Sequence, residues 1–217
     1  MYKTVVFDLD GTLLNTLTDL ADAGNRLCRK YGWPTHERQA YRYFVGNGIP
    51  KLVERLAPAD QRTPAVLEAA LADFKRDYGQ HLRDTTAPYP GIPEMLAKLK
   101  ANGVQLAVFS NKADALAKEV VKDYFGTQYF TIVRGQMTGV APKPAAEGTN
   151  ALLQALHADP ASTLYVGDSN VDVETAHNAN LPCCGAMWGF RTREELNAAG
   201  AEYLAENSDE LYDVIMK

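Results

Sequence analysis

Five short apolar runs punctuate this chain, and their spacing constrains its fold more than any other feature. The first is "KTVVFDLD" at the start; "VQLAVFSN" follows at 104–111, "YFTIVRG" at 129–135, "STLYVGDS" at 162–169 and "PCCGAM" at 182–187. Each has the length of a strand, and helical periodicity fills much of the sequence between them. In "IPEMLAKLKANG" the residues Ile92, Met95, Leu96 and Leu99 recur on one helical face, and Asn102-Gly103 supplies the stop. Strands and helices in alternation are the signature of βαβ units. The expected fold class is therefore α/β, with a parallel, Rossmann-like sheet and helices on both faces.

The rhythm breaks between Thr16 and Thr86, where no convincing strand occurs and amphipathic helical stretches follow one another. One aligns Leu20, Leu27 and Tyr31, a second Ile49, Leu52, Val53 and Leu56, and a third Leu67, Leu71, Phe74 and Tyr78. An α-helical cap domain is thus expected over 16–86, inserted into a core made of 1–15 and 87–217. The return to the core is marked by "APYPG", in which Pro88, Pro90 and Gly91 stiffen and turn the chain as a linker would. A chain of 217 residues with 46% hydrophobic content can fill two such cores.

In an open parallel sheet, ligands bind outside the carboxyl ends of the strands, so residues distant in sequence meet there. The ends read here are Asp8 and Asp10, Ser110 and Asn111, and Asp168 with Asp172, while "APKP" places Lys143 in the loop before a helix. Carboxylates held that close repel, and the fold must offset the cost with a metal, a proton or a function. Several carboxylates with a hydroxyl and an ammonium make a hard oxygen site suited to Mg²⁺, which keeps part of its water and shares its shell with phosphate. Taken singly these signals are ambiguous. "DLDG" also reads as a strand end and turn, and "VGDSNVD" as a helix start capped by Asp168 or Ser169. An EF-hand is excluded, since Thr12 takes the fifth position where an acid or Asn belongs and Gly11 falls too early.

A net charge of −5 gives no basic field for nucleic acid or an anionic membrane surface, and neither partner is expected. No stretch free of charge is long enough to span a bilayer, and Asp8 interrupts the first apolar run too early for a secretory signal, so a cytoplasmic protein is expected. Cys28, Cys183 and Cys184 fit neither a disulfide framework nor a zinc spacing. The four histidines show no metal-ligand spacing either.

The motifs "DLDGT" at 8–12, "FSN" at 109–111, Lys143 and "GDSNVD" at 167–172, with a helical insertion after the first, resemble the haloacid dehalogenase superfamily, and within it the phosphoglycolate-phosphatase-like branch. The resemblance covers nearly the whole chain. It implies a Mg²⁺-dependent phosphomonoester hydrolase in which Asp8 is the nucleophile, Asp10 the general acid and base, and Ser110 and Lys143 orient phosphate and nucleophile. It also implies a metal held by Asp8, Asp10 and Asp168, with Asp172 as ligand or neighbour, and phosphate contacts from Gly11, Thr12 and Asn111. Relatives often carry an acid where Asn15 stands, so a contact made by that carboxylate is not expected here.

Other chemistries of the superfamily compete with this reading. A phosphomutase of the β-phosphoglucomutase kind or a pyrophosphatase would keep the same carboxylates. A 2-haloacid dehalogenase needs neither Asp10 nor Asp168, and a receiver-like signalling module lacks the helical insertion. Substrate choice is expected to lie in the cap. There "FVGNGIPKLVERL" puts Gly46-Asn47-Gly48 before a helix and Lys51 in its first turns, a setting for a small anion. The expected partner is a small phosphorylated metabolite, 2-phosphoglycolate foremost, and the expected assembly a monomer or homodimer.

Overall fold

The computed structural model describes residues Met1 to Lys217. Its contacts divide the chain into two compact units, Met1–Leu14 with Pro88–Lys217, and Asn15–Ala87. The first strand, β1 (Thr4–Phe7), is buried along its whole length. The chain then crosses out through β2 (Leu14–Asn15) and back through β3 (Ala87–Pro88), which pair as a two-stranded ribbon.

The inserted unit holds four α-helices, α1 (Leu17–Tyr31), α2 (Arg38–Phe44), α3 (Ile49–Leu56) and α4 (Pro64–His81). Leu20 and Leu27 of α1, Leu52, Val53 and Leu56 of α3, and Phe74 and Tyr78 of α4 supply its core. The buried stripe of α4 runs through Ala70, Phe74 and Tyr78, leaving Leu67 and Leu71 half-buried. Helix α2 is absent from the sequence reading: it is short and buries only Tyr41, whose ring lies over Gly24, where an added Cβ would come within 2.5 Å of it. Asp19 is a buried carboxylate in the first turn of α1. One of its oxygens accepts the amide and hydroxyl of Thr85, and the other those of Thr86, which ties the start of the unit to its end.

The larger unit continues with α5 (Ile92–Ala101), β4 (Gln105–Ala113), α6 (Asp114–Phe125), β5 (Phe130–Gln136), α7 (Ala146–Leu156), β6 (Thr163–Gly167), α8 (Asn170–Asn178), β7 (Cys183–Ala186), α9 (Arg193–Ala199), β8 (Tyr203–Ala205) and α10 (Ser208–Met216). Six strands form one parallel sheet in the order β5-β4-β1-β6-β7-β8, a Rossmann-like α/β fold. Strand β1 is central, with Val5 level with Leu106 and Leu164, and Phe7 level with Val108 and Val166. A strand covered on both faces has no polar side to show, which is why "TVVF" reads as a continuous apolar run. Val6, Phe109, Tyr165 and Cys183 share one core cluster with Leu152 and Leu156 of α7, Val173 and Ala176 of α8 and Leu196 of α9. Phe7 points to the other side, where Phe130 and Phe125 stack edge to face. Two details depart from the sequence reading. Strand β8 is a three-residue addition at the sheet edge, and β4 runs two residues past Asn111, so Ser110, Asn111 and Lys112 all lie within it.

The Asp19 carboxylate gives the inserted unit its most direct test. Asp19→Ala strips four donors of their acceptor and is expected to lower that unit's stability by about 2–3 kcal/mol in denaturant unfolding. An unchanged midpoint would show that these bonds contribute nothing net.

Candidate active site

The sheet order reverses at β1, which places the carboxyl ends of β1, β4 and β6 around one crevice. Asp8 is the first residue beyond β1, with its amide bonded to the Val166 carbonyl at 2.8 Å. The chain then curls tightly: the amides of Leu13 and Leu14 both return to the Leu9 carbonyl, and the Gly11 amide reaches the Leu14 carbonyl at 2.8 Å. Gly11 has φ of 90°, and an added Cβ would lie 2.4 Å from Asp168 Oδ2. Glycine is required twice over, by the backbone angle and by the approach of Asp168.

Lys143 is buried at the centre of the site. Its ammonium lies 2.9 Å from Asp8 Oδ1 and 2.7 Å from Asp172 Oδ1, and donates to the Tyr165 hydroxyl at 3.2 Å and the Phe109 carbonyl at 3.3 Å. Its peptide is gripped as well: Asn111 Oδ1 accepts the Lys143 amide at 2.9 Å, and Asn111 Nδ2 donates to the Lys143 carbonyl at 3.3 Å. Burial alone would favour the neutral amine, but Asp172 and Asp8 outweigh it and hold the Lys143 pKa well above its ordinary value.

Asp172 stands in the first turn of α8 and is fully engaged. Besides Lys143 on Oδ1, its Oδ2 accepts the amides of Asp168 and Ser169 and the Ser169 hydroxyl at 2.7 Å. Asp168, at the end of β6, accepts the Thr12 hydroxyl at 3.1 Å and the Phe190 amide at 2.7 Å. The loop after β7 closes over it, because a Cβ on Gly189 would come within 2.1 Å of the Asp168 Cβ.

Carboxylate oxygens of Asp8, Asp168 and Asp172 all lie within 4.8 Å of one another, against the single ammonium of Lys143. Burial and the neighbouring carboxylates together act on Asp8 and Asp168. Burial pushes Asp8 up to about 7; Lys143 opposes the rise, while Asp172 and Asp10 add to it. Asp168 is held well above the usual carboxylate range by burial first, then by Asp172 and Asp8. What this donor set lacks is positive charge, and its oxygens are hard ligands, so it fits a divalent cation of the Mg²⁺ class. Asp172 is the most heavily engaged of the three, with Lys143 on Oδ1 and two amides and a hydroxyl on Oδ2, whereas each Asp168 oxygen accepts one bond.

Asp10 turns to a different cation. Lys112 of β4, its side chain 3% exposed, lies 3.1 and 3.4 Å from the two oxygens of Asp10. Ser110 is buried, and its hydroxyl accepts the Lys112 amide at 3.2 Å. The residues expected to line phosphate take other partners here: the Thr12 hydroxyl serves Asp168, the Gly11 amide serves the turn, and Asn111 clamps Lys143. In the inserted unit, Gly46 and Gly48 have φ of 113° and 81°, and Gly48 directly precedes α3. Lys51 pairs with Glu54 at 2.7 Å, and Asn47 Oδ1 accepts from Arg55 at 2.8 Å.

Lys112 and Tyr165 escaped the sequence reading. Lys112 stands two residues beyond Ser110, where β4 shifts register against β5 between Phe109 and Ala113, so no regular alternation marks it in the sequence. Tyr165 gave no signal either, since a tyrosine inside an apolar strand reads as core.

The family model for haloacid dehalogenase-like hydrolases matches residues 5–186. Among curated proteins, the phosphoglycolate phosphatase of Chromobacterium violaceum is 31% identical over 98% of this chain and 96% of its own length, and that of Thiobacillus denitrificans is 31% identical over 87% and 84%. Among solved structures, a candidate phosphoglycolate phosphatase from Lactobacillus delbrueckii subsp. bulgaricus superposes with a TM-score of 0.93 at 28% identity, covering 99% of this chain and 98% of that one. The chain belongs to the haloacid dehalogenase-like hydrolases and is a phosphatase of that family.

Asp172 offers the test of this electrostatic arrangement. Asp172→Ala leaves the Lys143 ammonium short of one partner and two amides without an acceptor, and is expected to cost about 3–5 kcal/mol in denaturant unfolding. A loss below about 1 kcal/mol, the scale of an exposed pair, would mean that the pair is solvated.

Proposed function

We propose that this phosphatase hydrolyses a small phosphomonoester that bears a carboxylate, with 2-phosphoglycolate as the leading substrate, through an aspartyl-phosphate on Asp8. The observation that carries the proposal is the buried knot of Asp8, Asp168 and Asp172 around Lys143. Uncatalysed phosphomonoester hydrolysis is slow enough to need acceleration of up to about 10²¹-fold, far beyond the roughly 10²–10⁴ of one general acid. A covalent route divides the barrier. The Asp8 carboxylate attacks phosphorus, the P–O bond to the leaving group breaks, and Asp10 delivers a proton to the departing oxygen. Asp10 then takes a proton from the water that attacks the acyl phosphate, releasing inorganic phosphate and the free Asp8 carboxylate. Lys143 orients Asp8 and balances charge on the transferred group. Asp8, the Asp10 backbone carbonyl and Asp168 would hold Mg²⁺, which when bound neutralises phosphate charge. Asp172 acts by placing Lys143 and Asp168.

The phosphoglycolate phosphatases that align over nearly the whole chain support the choice of substrate. So does the Gly46-Asn47-Gly48 turn before α3, with Lys51 as the cation for a substrate carboxylate that competes with Glu54. Specificity of this kind is a difference in kcat/KM between substrates. A panel of phosphorylated metabolites assayed with Mg²⁺ is expected to give its highest kcat/KM for 2-phosphoglycolate. Lys51→Ala is expected to raise KM for phosphoglycolate by about tenfold while leaving an aryl phosphate without a carboxylate within about twofold, the size of one charge-assisted contact. A wide preference for hexose phosphates or pyrophosphate would overturn the substrate and leave the phosphatase. Excess EDTA should abolish turnover and added Mg²⁺ restore it; full activity in the chelator would remove the metal from the proposal.

A further inference from the structure

Ser110 and Lys112 lie two residues apart in β4, and the second has a buried ammonium that no part of the proposed chemistry uses. Its place is fixed at both ends. The Lys112 amide donates to the Ser110 hydroxyl at 3.2 Å, and strand β5 packs so closely that a Cβ on Gly135 would sit 2.4 Å from the Lys112 carbonyl oxygen. At the other end the ammonium meets both oxygens of Asp10, at 3.1 and 3.4 Å. The side chains are 3% and 15% exposed, so water screens this pair little.

We infer that Lys112 is a positioning residue for Asp10, holding the plane and direction of the carboxyl group that exchanges protons with the leaving oxygen and with water. The inference rests on the acid–base reading of Asp10 given above. A carboxylate on a strand-end turn has two torsions of its own, and its outer one is broad. A cation in contact with both oxygens narrows it to one setting. General acid–base catalysis depends on reach to the proton at about 2.6–3.2 Å, so a side chain free to swing loses most of its benefit. Lys112 acts through Asp10 and needs no contact with substrate. That separates its signature from that of a phosphate-binding lysine, which would govern affinity for every phosphate ester alike, and from that of a lysine that only supports the fold.

The test uses the full chain with Mg²⁺ and compares Lys112→Met, Lys112→Arg and Asp10→Asn on an alkyl and an aryl phosphate, with inorganic phosphate as competitive inhibitor. Lys112→Met is expected to lower kcat for the alkyl ester ~10–100-fold, part of what a general acid supplies, and kcat for the aryl ester less than about threefold, because that leaving group needs little protonation. KM and the inhibition constant of phosphate should hold, and Lys112→Arg, which keeps the charge, should retain more alkyl activity than Lys112→Met. Should the methionine variant not fold, Lys112→Gln gives the same comparison with a donor kept on Asp10. Equal losses for both esters with weakened phosphate inhibition would make Lys112 a phosphate ligand and overturn the inference, as would unchanged kinetics. If Asp10→Asn itself fails to distinguish the two esters, the acid–base reading falls; if it does distinguish them and Lys112→Met does not, only the inference falls.

Discussion

The ammonium of Lys143 stands between two buried carboxylates, 2.9 Å from Asp8 and 2.7 Å from Asp172, and most of the larger unit is arranged to make that position tolerable. Moving such ions out of water costs several kcal/mol each, recovered only when geometry is good and remaining donors and acceptors are met. Backbone groups meet them. The residues between β6 and α8 turn two amides onto Asp172, the loop after β7 turns one onto Asp168, and the Asn111 side chain fixes the lysine peptide from β4. Even so, burial first and the neighbouring carboxylates second hold the pKa values of Asp8 and Asp168 above the usual carboxylate range. A site left short of positive charge by fixed, dry dipoles is preorganised for a cation and for the phosphate that a cation brings.

The two aspartates that end "VVFDLD" have one residue between them, yet they answer to different lysines. Asp8 faces Lys143 from the loop before α7, and Asp10 faces Lys112 from β4. Adjacent carboxylates can take different jobs in one reaction only if their surroundings differ. Here the difference is built by topology: neighbouring strand ends on one side, a helix-leading loop on the other. The tight curl after Asp8, with Gly11 pressed against Asp168, lets both aspartates sit at one strand end without sharing a partner.

Much of this was legible in the sequence, for a physical reason. Strands buried on both faces carry apolar runs that need no alternation, so the five principal strands of the sheet announce themselves, and strand ends in such a sheet must converge. The rest depends on which groups meet, which periodicity does not encode. Thr12 and Gly11 both lie against Asp168, a neighbour more than 150 residues on that the first motif does not announce, as the Thr12 bond with a separation of 156 shows. Asp19 reads as an acid suited to a helix start, and its partners Thr85 and Thr86 lie 66 and 67 residues away. Lys112 stayed hidden because β4 was expected to end at Asn111. Strand β8 buries only Ala205 and offers no run to see.

The central claim is that the cluster exists to make Asp8 a nucleophile. Borohydride reduces an acyl phosphate but not a free carboxylate, so quenching the enzyme with it during turnover of 2-phosphoglycolate marks any phosphorylated aspartate as homoserine. Mass spectrometry of the peptide spanning Val5 to Thr12 then reads the outcome directly. The account predicts homoserine at position 8, dependent on substrate and on Mg²⁺. Trapped homoserine at position 10, or steady turnover with no reduced aspartate anywhere in the chain, would contradict it.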